Sequence, residues 1–275
     1  MKIITDSCAD LKKEIADSCN VTVLPLTVTF GEQQFKDGID IGYDEFYEKL
    51  KHELPKTSQV SPYDFAKAFK EANDDVLCIT VSSTLSGTYQ SACIAAEEFD
   101  NVCVIDSTQV CIAEGILVRY AAKLAGEDLD YKTVCEMTEK KKKDIRLIAS
   151  VDTLEYLQKG GRLSKTAAAA GALLSIKPVI TCENGEIKIL GKARGYNKAN
   201  NMLKEYINAQ NGIDFSLPFE LGFSGTDDTL LKQYIDYSTD LYSEYKEELP
   251  ISRIGSTIGT HAGPGAVGVA FFTKE

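Results

Sequence analysis

The chain is 275 residues long, 44% hydrophobic, and carries a net charge of −11. That length holds one large domain or two ordinary ones, each with a real core. The acidic balance disfavours nucleic acid and anionic membrane surfaces as partners, because both need a basic patch.

In chain order, the N-terminal half alternates strand and helix signals. Lys2 to Thr5 is a short β run ending in Asp6-Ser7. Val21 to Phe30 is β-rich, and Gly31-Glu32 with Asp37-Gly38 punctuates a hairpin. A helix runs from Tyr43 to His52. Thr57-Ser58-Gln59 then precedes a helix opened by Ser61 as N-cap, with Pro62 at its first position and Asp64 in its first turn. Thr57 and Ser58 are either part of a loop before a cap or hydroxyls turned into a crevice. Strand 76–81, helix 88–98, strand 102–105 before Asp106-Ser107, helix 113–125 and a helix near 131–143 follow. The basic run Lys140 to Lys143 lies among Glu136, Glu139 and Asp144 and reads as a solvated helix face. The alternation predicts a Rossmann-like parallel sheet. Three of its strands end in Asp6-Ser7, Ser82-Ser83 and Asp106-Ser107. Ligands of open α/β sheets bind at such carboxyl ends.

The stretch Ser82 to Ser91 is dense in hydroxyls and falls where a strand gives way to a helix. Free N–H groups and hydroxyls at such a junction suit an anion. The stretch has no Walker lysine and a single glycine, Gly87, so it is neither a P-loop nor a dinucleotide fingerprint. A small anionic head such as a carboxylate fits better.

The second half changes character. Leu147 to Val151 is a strand, and Asp152 caps a short helix that stops at Gly160-Gly161. Arg162 follows on the turn with its guanidinium free for a phosphate or an acidic partner; Lys192, Arg194 and Lys198 add positive charge. A small-residue helix covers Thr166 to Leu174. Strands Pro178 to Thr181 and Glu186 to Leu190 flank the hairpin signal Asn184-Gly185. Helix 196–209, strand 217–223, helix 227–245, strand 251–258 and strand 267–273 complete an α+β pattern with a mixed or antiparallel sheet. The predicted domains are 1–148 and 149–275, with the β-rich segment 20–55 open to packing on the second. His261 stands in a loop between β runs, before Gly263-Pro264-Gly265, as a hydrogen-bond donor to an anion or a base.

The eight cysteines form no CxxC and no Cys/His cluster with zinc spacing, so reduced thiols and no metal are expected. No N-terminal signal segment and no membrane-length apolar run is seen. The expectation is a cytoplasmic protein without stable membrane insertion.

Taken together these residues resemble the DegV family, nearly end to end. The resemblance is carried by Ile4-Thr5-Asp6-Ser7 with Ala9-Asp10-Leu11, by Thr57-Ser58-Gln59, by Ser82-Ser83-x-Leu85-Ser86-Gly87-Thr88-Tyr89 and by Asp106-Ser107. It continues through Leu154-Glu155-Tyr156-Leu157-x-x-Gly160-Gly161-Arg162, Lys177-Pro178 and His261-x-Gly263-Pro264-Gly265-Ala266. One departure is Val60, where the family usually has Pro after Thr-Ser-Gln. The resemblance implies two α/β domains and a buried long-chain fatty acid, its carboxylate held between them, with no cofactor. Carried over by position, the ligand-binding residues are Thr57, Ser58, Ser83 or Ser86, Gly87, His261 and Gly263. It also implies a carrier that presents the acid to a fatty acid kinase for acyl-phosphate formation, with Arg162 and Arg194 facing the phosphate or the kinase. Leu117, Leu173, Leu174 and Ile176 are candidates for a tunnel wall. A different class, a serine hydrolase using Ser86 with His261 as base, lacks a nucleophile elbow and a third triad member.

Overall fold

The computed structural model describes residues 1–163, 176–245 and 247–275. Strands β1 (Lys2–Asp6) and β2 (Val21–Leu24) pair in parallel. The next three, β3 (Thr27–Phe30), β4 (Gln33–Lys36) and β5 (Lys56–Ser58), form a small antiparallel sheet in the order β4-β3-β5. Then β6 (Val76–Thr80) and β7 (Val102–Asp106) return to the first sheet, which is parallel throughout in the order β2-β1-β6-β7. Every residue of β6 is buried, as a central parallel strand covered on both faces requires.

The helices of this half are α1 (Lys13–Ser18), α2 (Tyr43–Leu50), α3 (Pro62–Ala72), α4 (Thr88–Ala96), α5 (Ile112–Ala125) and α6 (Tyr131–Lys141). The cap predicted for α3 is present: Ser61 Oγ accepts the Asp64 N–H at 3.1 Å. α5 is apolar nearly all round because both its sides are covered. Ile116, Leu117 and Ala121 pack in one cluster with Leu77 and Ile79 of the parallel sheet and with strands of a second sheet. Truncating Leu117 to Ala in that layer costs about 2–5 kcal/mol.

The second sheet has six strands. They are β8 (Ile145–Ser150), β9 (Ile176–Glu183), β10 (Glu186–Arg194), β11 (Glu220–Phe223), β12 (Ile251–Arg253) and β13 (Val267–Phe272), in the order β10-β9-β8-β13-β11-β12. Only the β11–β12 pair is parallel. The helices of this half are α7 (Glu155–Lys159), α8 (Tyr196–Ala209), α9 (Thr229–Tyr237) and α10 (Ser256–Ala262). α8 and α9 cover the face away from α5, where Leu203, Ile207 and Leu231 meet Leu221, Val269 and Phe271. The fold is thus α/β, with a parallel N-terminal sheet and a mixed C-terminal one.

Several boundaries differ from the sequence reading. The second sheet begins at Ile145, before residue 148. Segment 20–55 divides: β2 stays in the parallel sheet, while Tyr47 of α2 reaches the Ile254 carbonyl at 3.0 Å. The helix predicted to 245 stops at Tyr237, because the chain turns to bring the Tyr242 hydroxyl onto that of Tyr234 at 2.9 Å. The strand predicted over 251–258 ends at Arg253, and a helix follows. That helix is capped from afar: Asp10 accepts the Gly255 N–H at 2.7 Å and Asp37 the Ser256 N–H at 2.9 Å. Neither partner is near in sequence, so no local signal marks the start. The helix read at Thr166 to Leu174 lies outside the described residues. No helix among the described residues is long and apolar enough to cross a membrane.

Candidate functional site

Between the two sheets, beside the start of α5, lies a cavity of about 350 Å³. Small-molecule sites span roughly 300–1,000 Å³. Val81, Val110 and Ile112 line it from the N-terminal half, and Ala149, Ile180 and Ile187 from the C-terminal sheet. Its polar residues include Thr57, Ser58, Gln59, Ser86, Arg162 and His261. An apolar chamber with a few convergent polar groups takes a ligand that has one polar head and a long apolar body.

His261 organises the polar end. It sits in the last turn of α10, not in a loop. Its Nε2 lies 2.9 Å from Thr57 Oγ1, which β5 supplies from the small sheet. On the other side of the ring the backbone of Gly160 closes in: a Cβ there would stand 2.2 Å from Nδ1. The first glycine of the Gly-Gly-Arg run therefore makes room for the imidazole. Gly161, at φ +73°, supplies the left-handed step that turns the chain.

Burial, and secondarily the Arg162 charge, push the His261 imidazole down to about 4. The ring is neutral at neutral pH and carries one donor and one acceptor. Among the described residues, Nδ1 is buried without a partner. A buried orphan N–H is rarer than an under-satisfied acceptor, which favours placing the proton on Nε2. In that tautomer Nε2–H donates to Thr57, and the Thr57 hydroxyl is left to donate to a ligand.

Arg162 does not project freely. Its Nε donates to the Leu85 carbonyl at 3.0 Å and its Nη1 to the Gly160 carbonyl at 2.7 Å. The guanidinium thus ties the turn after α7 to the loop before α4 and brings positive charge beside His261. Across the same loop, Gln59 Nε2 donates to Ser91 Oγ at 2.8 Å and to the Gly87 carbonyl at 3.2 Å. A Cβ on Gly87 would lie 2.2 Å from the Gln59 amide oxygen, so a side chain there would displace the Gln59 amide from this position.

The hydroxyl-rich stretch divides its work. Ser82 Oγ donates to the Gly185 carbonyl at 2.8 Å, and Thr84 Oγ1 donates to the same oxygen. These two hydroxyls hold the tip of the β9–β10 hairpin and are not ligand groups. Ser86 lines the cavity, its Oγ 2.9 Å from Thr88 Oγ1. Ser83 is exposed and off the cavity, its N–H on Asp106 at 3.2 Å. The acidic strand ends are likewise structural. Asp6 accepts the N–H groups of Cys8 and Val81, both at 2.9 Å, and burial raises its carboxyl to about 6. Asp106 accepts the Thr108 N–H at 2.8 Å.

Other sequence candidates also lie elsewhere. Gly263 is off the cavity wall, its carbonyl accepting Ser224 Oγ at 2.6 Å. Arg194 is exposed at the end of β10. Leu117 is buried in the layer around α5, and Ile176 opens β9; neither lines the cavity. Leu173 and Leu174 fall outside the described residues. A serine hydrolase would need Ser86 hydrogen-bonded to His261. Instead Ser86 pairs with Thr88 and His261 with Thr57. Among the described residues, no three His, Cys, Asp or Glu side chains gather as for a metal ion.

The chain matches the profile of a family described as an uncharacterised protein of the DegV family over residues 1–274. It belongs to the DegV family. A DegV domain-containing protein of Caldanaerobacter subterraneus is 36% identical, with 99% of this chain and 98% of the relative aligned. A fatty-acid-binding DegV protein of Thermus thermophilus superposes with a TM-score of 0.89 at 31% identity, covering 99% of both chains. A stearic acid-binding protein of Eubacterium ventriosum superposes at 0.82 and 30% identity, covering 98% of this chain and 97% of that one.

Within this DegV chain, some contributors to the site leave little trace in sequence. Gln59 was visible only as the end of Thr-Ser-Gln. Asp10, which enters the sequence reading only within Ala9-Asp10-Leu11, and Asp37, read as hairpin punctuation, cap the His261 helix. Gly222, Gly268 and Ala149 also line the cavity. Their signal is small residues inside β runs, which marks a close backbone approach or missing packing.

Proposed function

We propose that this protein is a cytoplasmic carrier that binds a long-chain fatty acid, its carboxylate at the Thr57–His261 end and its chain in the cavity between the sheets. The observation that carries this reading is an apolar chamber whose polar residues include a neutral, hydrogen-bonded imidazole. Burying about 15 methylenes at ~0.8 kcal/mol each gives roughly 12 kcal/mol gross, before ordering costs. The chain thus supplies affinity and the head group supplies orientation. The carboxylate still needs donors once it leaves water. The Thr57 hydroxyl, backed by His261, and Ser86 are the groups that offer them, with the Arg162 charge, Ser58 and Gly87 beside them. The solved relatives bound to fatty acids support the same ligand class.

The protein acts without chemistry of its own in this reading and presents the bound acid to a fatty acid kinase for acyl-phosphate formation. Arg194, exposed at the end of β10, is the residue assigned to contact that partner. Native mass spectrometry of the purified protein tests the first step: a bound species at the mass of a long-chain fatty acid is expected. A protein that neither co-purifies with nor takes up such acids, yet hydrolyses an ester in a Ser86-dependent way, would sink the carrier reading. For the second step, Arg194→Ala is expected to spare lipid binding and slow acyl-phosphate formation by the added kinase and ATP; loss of lipid binding would refute that division of roles.

A further inference from the structure

Thr88 lies directly behind Ser86. It is the first residue of α4 and is wholly buried, whereas Ser86 is half-buried and lines the cavity. Two contacts join them. The Thr88 N–H, one of those at a helix start that lack an intrahelical partner, donates to Ser86 Oγ at 3.3 Å. The Thr88 hydroxyl stands 2.9 Å from the same Oγ. The backbone around Ser86 is held on every side. The Ser86 N–H donates to the Ser82 carbonyl at 3.1 Å. The carbonyls on either side of it are tied from outside the loop, Leu85 by Arg162 at 3.0 Å and Gly87 by Gln59 at 3.2 Å. What is left to be oriented is the Ser86 hydroxyl proton.

The contact between the two hydroxyls can run in either direction. If Ser86 donates to Thr88, Ser86 has no proton for a ligand, and the Thr88 proton is buried without an acceptor among the described residues. If Thr88 donates to Ser86, the buried proton is used and the Ser86 proton is free to point into the cavity. A buried donor without an acceptor costs more than an acceptor lone pair left unused, which favours the second direction. It matches the direction assigned at Thr57, where Nε2–H of His261 donates to the hydroxyl and leaves the Thr57 proton for the ligand. Each of the two hydroxyls then has a donor behind it, which polarises its O–H and strengthens the bond it makes in front.

We propose that Thr88 is a positioning residue for the fatty-acid head group: its hydroxyl donates to Ser86 and turns the Ser86 proton toward the carboxylate. The proposal rests on the fatty-acid reading above. Thr88 is not on the cavity wall, so it acts on the ligand only through Ser86. Removing its hydroxyl leaves Ser86 in place, because Arg162, Gln59 and the Ser82 carbonyl still hold the loop, but frees the Ser86 proton to turn away from the ligand.

The test is a double-mutant cycle on the dissociation constant for palmitic acid, measured with delipidated wild type, Thr88→Val, Ser86→Ala and the pair combined. Thr88→Val keeps the volume and removes the hydroxyl. It is expected to weaken binding about three- to tenfold, and Thr88→Ser, which keeps the hydroxyl, is expected to restore it. On the Ser86→Ala background Thr88→Val is expected to change nothing further. An equal loss on that background means that Thr88 acts by packing alone, and overturns the proposal. So does wild-type affinity in Thr88→Val or in Ser86→Ala, or a Thr88→Ser protein as weak as Thr88→Val. If Thr88→Val does not fold, Thr88→Ala takes its place in the cycle with the same expected and overturning results. A wild type that binds no fatty acid is a separate outcome: it removes the fatty-acid reading and the role of Thr88 with it.

Discussion

Replacing His261 by Gln tests whether the head-group end of the cavity is as dry as its geometry suggests. The imidazole titrates near 4 in the folded protein against 6.5 in an unfolded chain. The native state thus resists a proton that the unfolded chain accepts. The stability this residue confers is whole above pH 6.5 and is lost progressively as pH falls toward 4. At about 1.4 kcal/mol per pH unit of displacement, that interval is worth roughly 3 kcal/mol. Wild type alone would hide the effect. Asp6 titrates near 6 when folded against 3.8 unfolded, so its contribution runs the other way, fading as pH rises through the same window. The comparison of two chains removes such terms, because the carboxyls are common to both. Urea unfolding of delipidated wild type and His261→Gln, at steps from about pH 8 to about pH 4, gives the difference directly. It should stay constant above about pH 6.5 and then swing in favour of the variant by roughly 2–3 kcal/mol. Two curves that run parallel throughout would mean the folded imidazole takes its proton freely, and the buried, neutral clamp would have to be abandoned.

Arg162→Met removes the positive charge next to His261, so the imidazole should titrate higher than in wild type; an unchanged NMR titration of its ring protons would refute the coupling. Gly160→Ala places a Cβ 2.2 Å from His261 Nδ1, so the ring must leave its position. Fatty-acid affinity should fall at least tenfold, with about 1–3 kcal/mol of stability lost by overpacking; calorimetry of binding and unfolding reads both, and wild-type affinity contradicts the placement of the ring. The double change Ser82→Ala with Thr84→Val strips both hydroxyls from the Gly185 carbonyl. It should cost about 1–3 kcal/mol in urea unfolding. A neutral result would show that the hairpin tip is held by other contacts.

The alternation of strand and helix in the first half was legible because each signal is local: hydrophobic runs such as Val76 to Val81, and the Ser61-Pro62 start of α3. The Asn184-Gly185 hairpin was legible for the same reason, with Asn184 at φ 51° and Gly185 at φ 82°. Parts of the site were legible too, since Thr57, Ser86 and His261 come from short stretches of unusual composition. What could not be read was which hydroxyl does what. Ser82, Thr84 and Ser86 are near neighbours of one kind, yet two face a hairpin from residue 185 and one faces the cavity. That outcome depends on how a second sheet docks on the first. The helix bearing His261 was missed on similar grounds, because its N-terminal N–H groups are satisfied by Asp10 and Asp37. A free guanidinium was wrongly expected at Arg162 because backbone carbonyls 77 and 2 residues away have no side-chain signature.

The tethering of Arg162 bears on what the proposed carrier can do with its ligand. A free guanidinium at the head would grip a carboxylate through two parallel bonds, the strongest pairing available to it. Such a grip would draw charge from the oxygens and oppose transfer of a phosphoryl group onto them. Here two guanidinium N–H groups are already taken by the Leu85 and Gly160 carbonyls. Arg162 acts mainly as a strap that closes the loop before α4 onto the turn after α7, with its charge at one remove. The neutral donors beside the ligand are the Thr57 hydroxyl, backed by His261, and Ser86. Neutral donors orient a carboxylate while leaving it more nucleophilic, and the apolar chain holds the molecule in place. An acid bound by its tail and only steered by its head suits a carrier whose cargo must react while still bound.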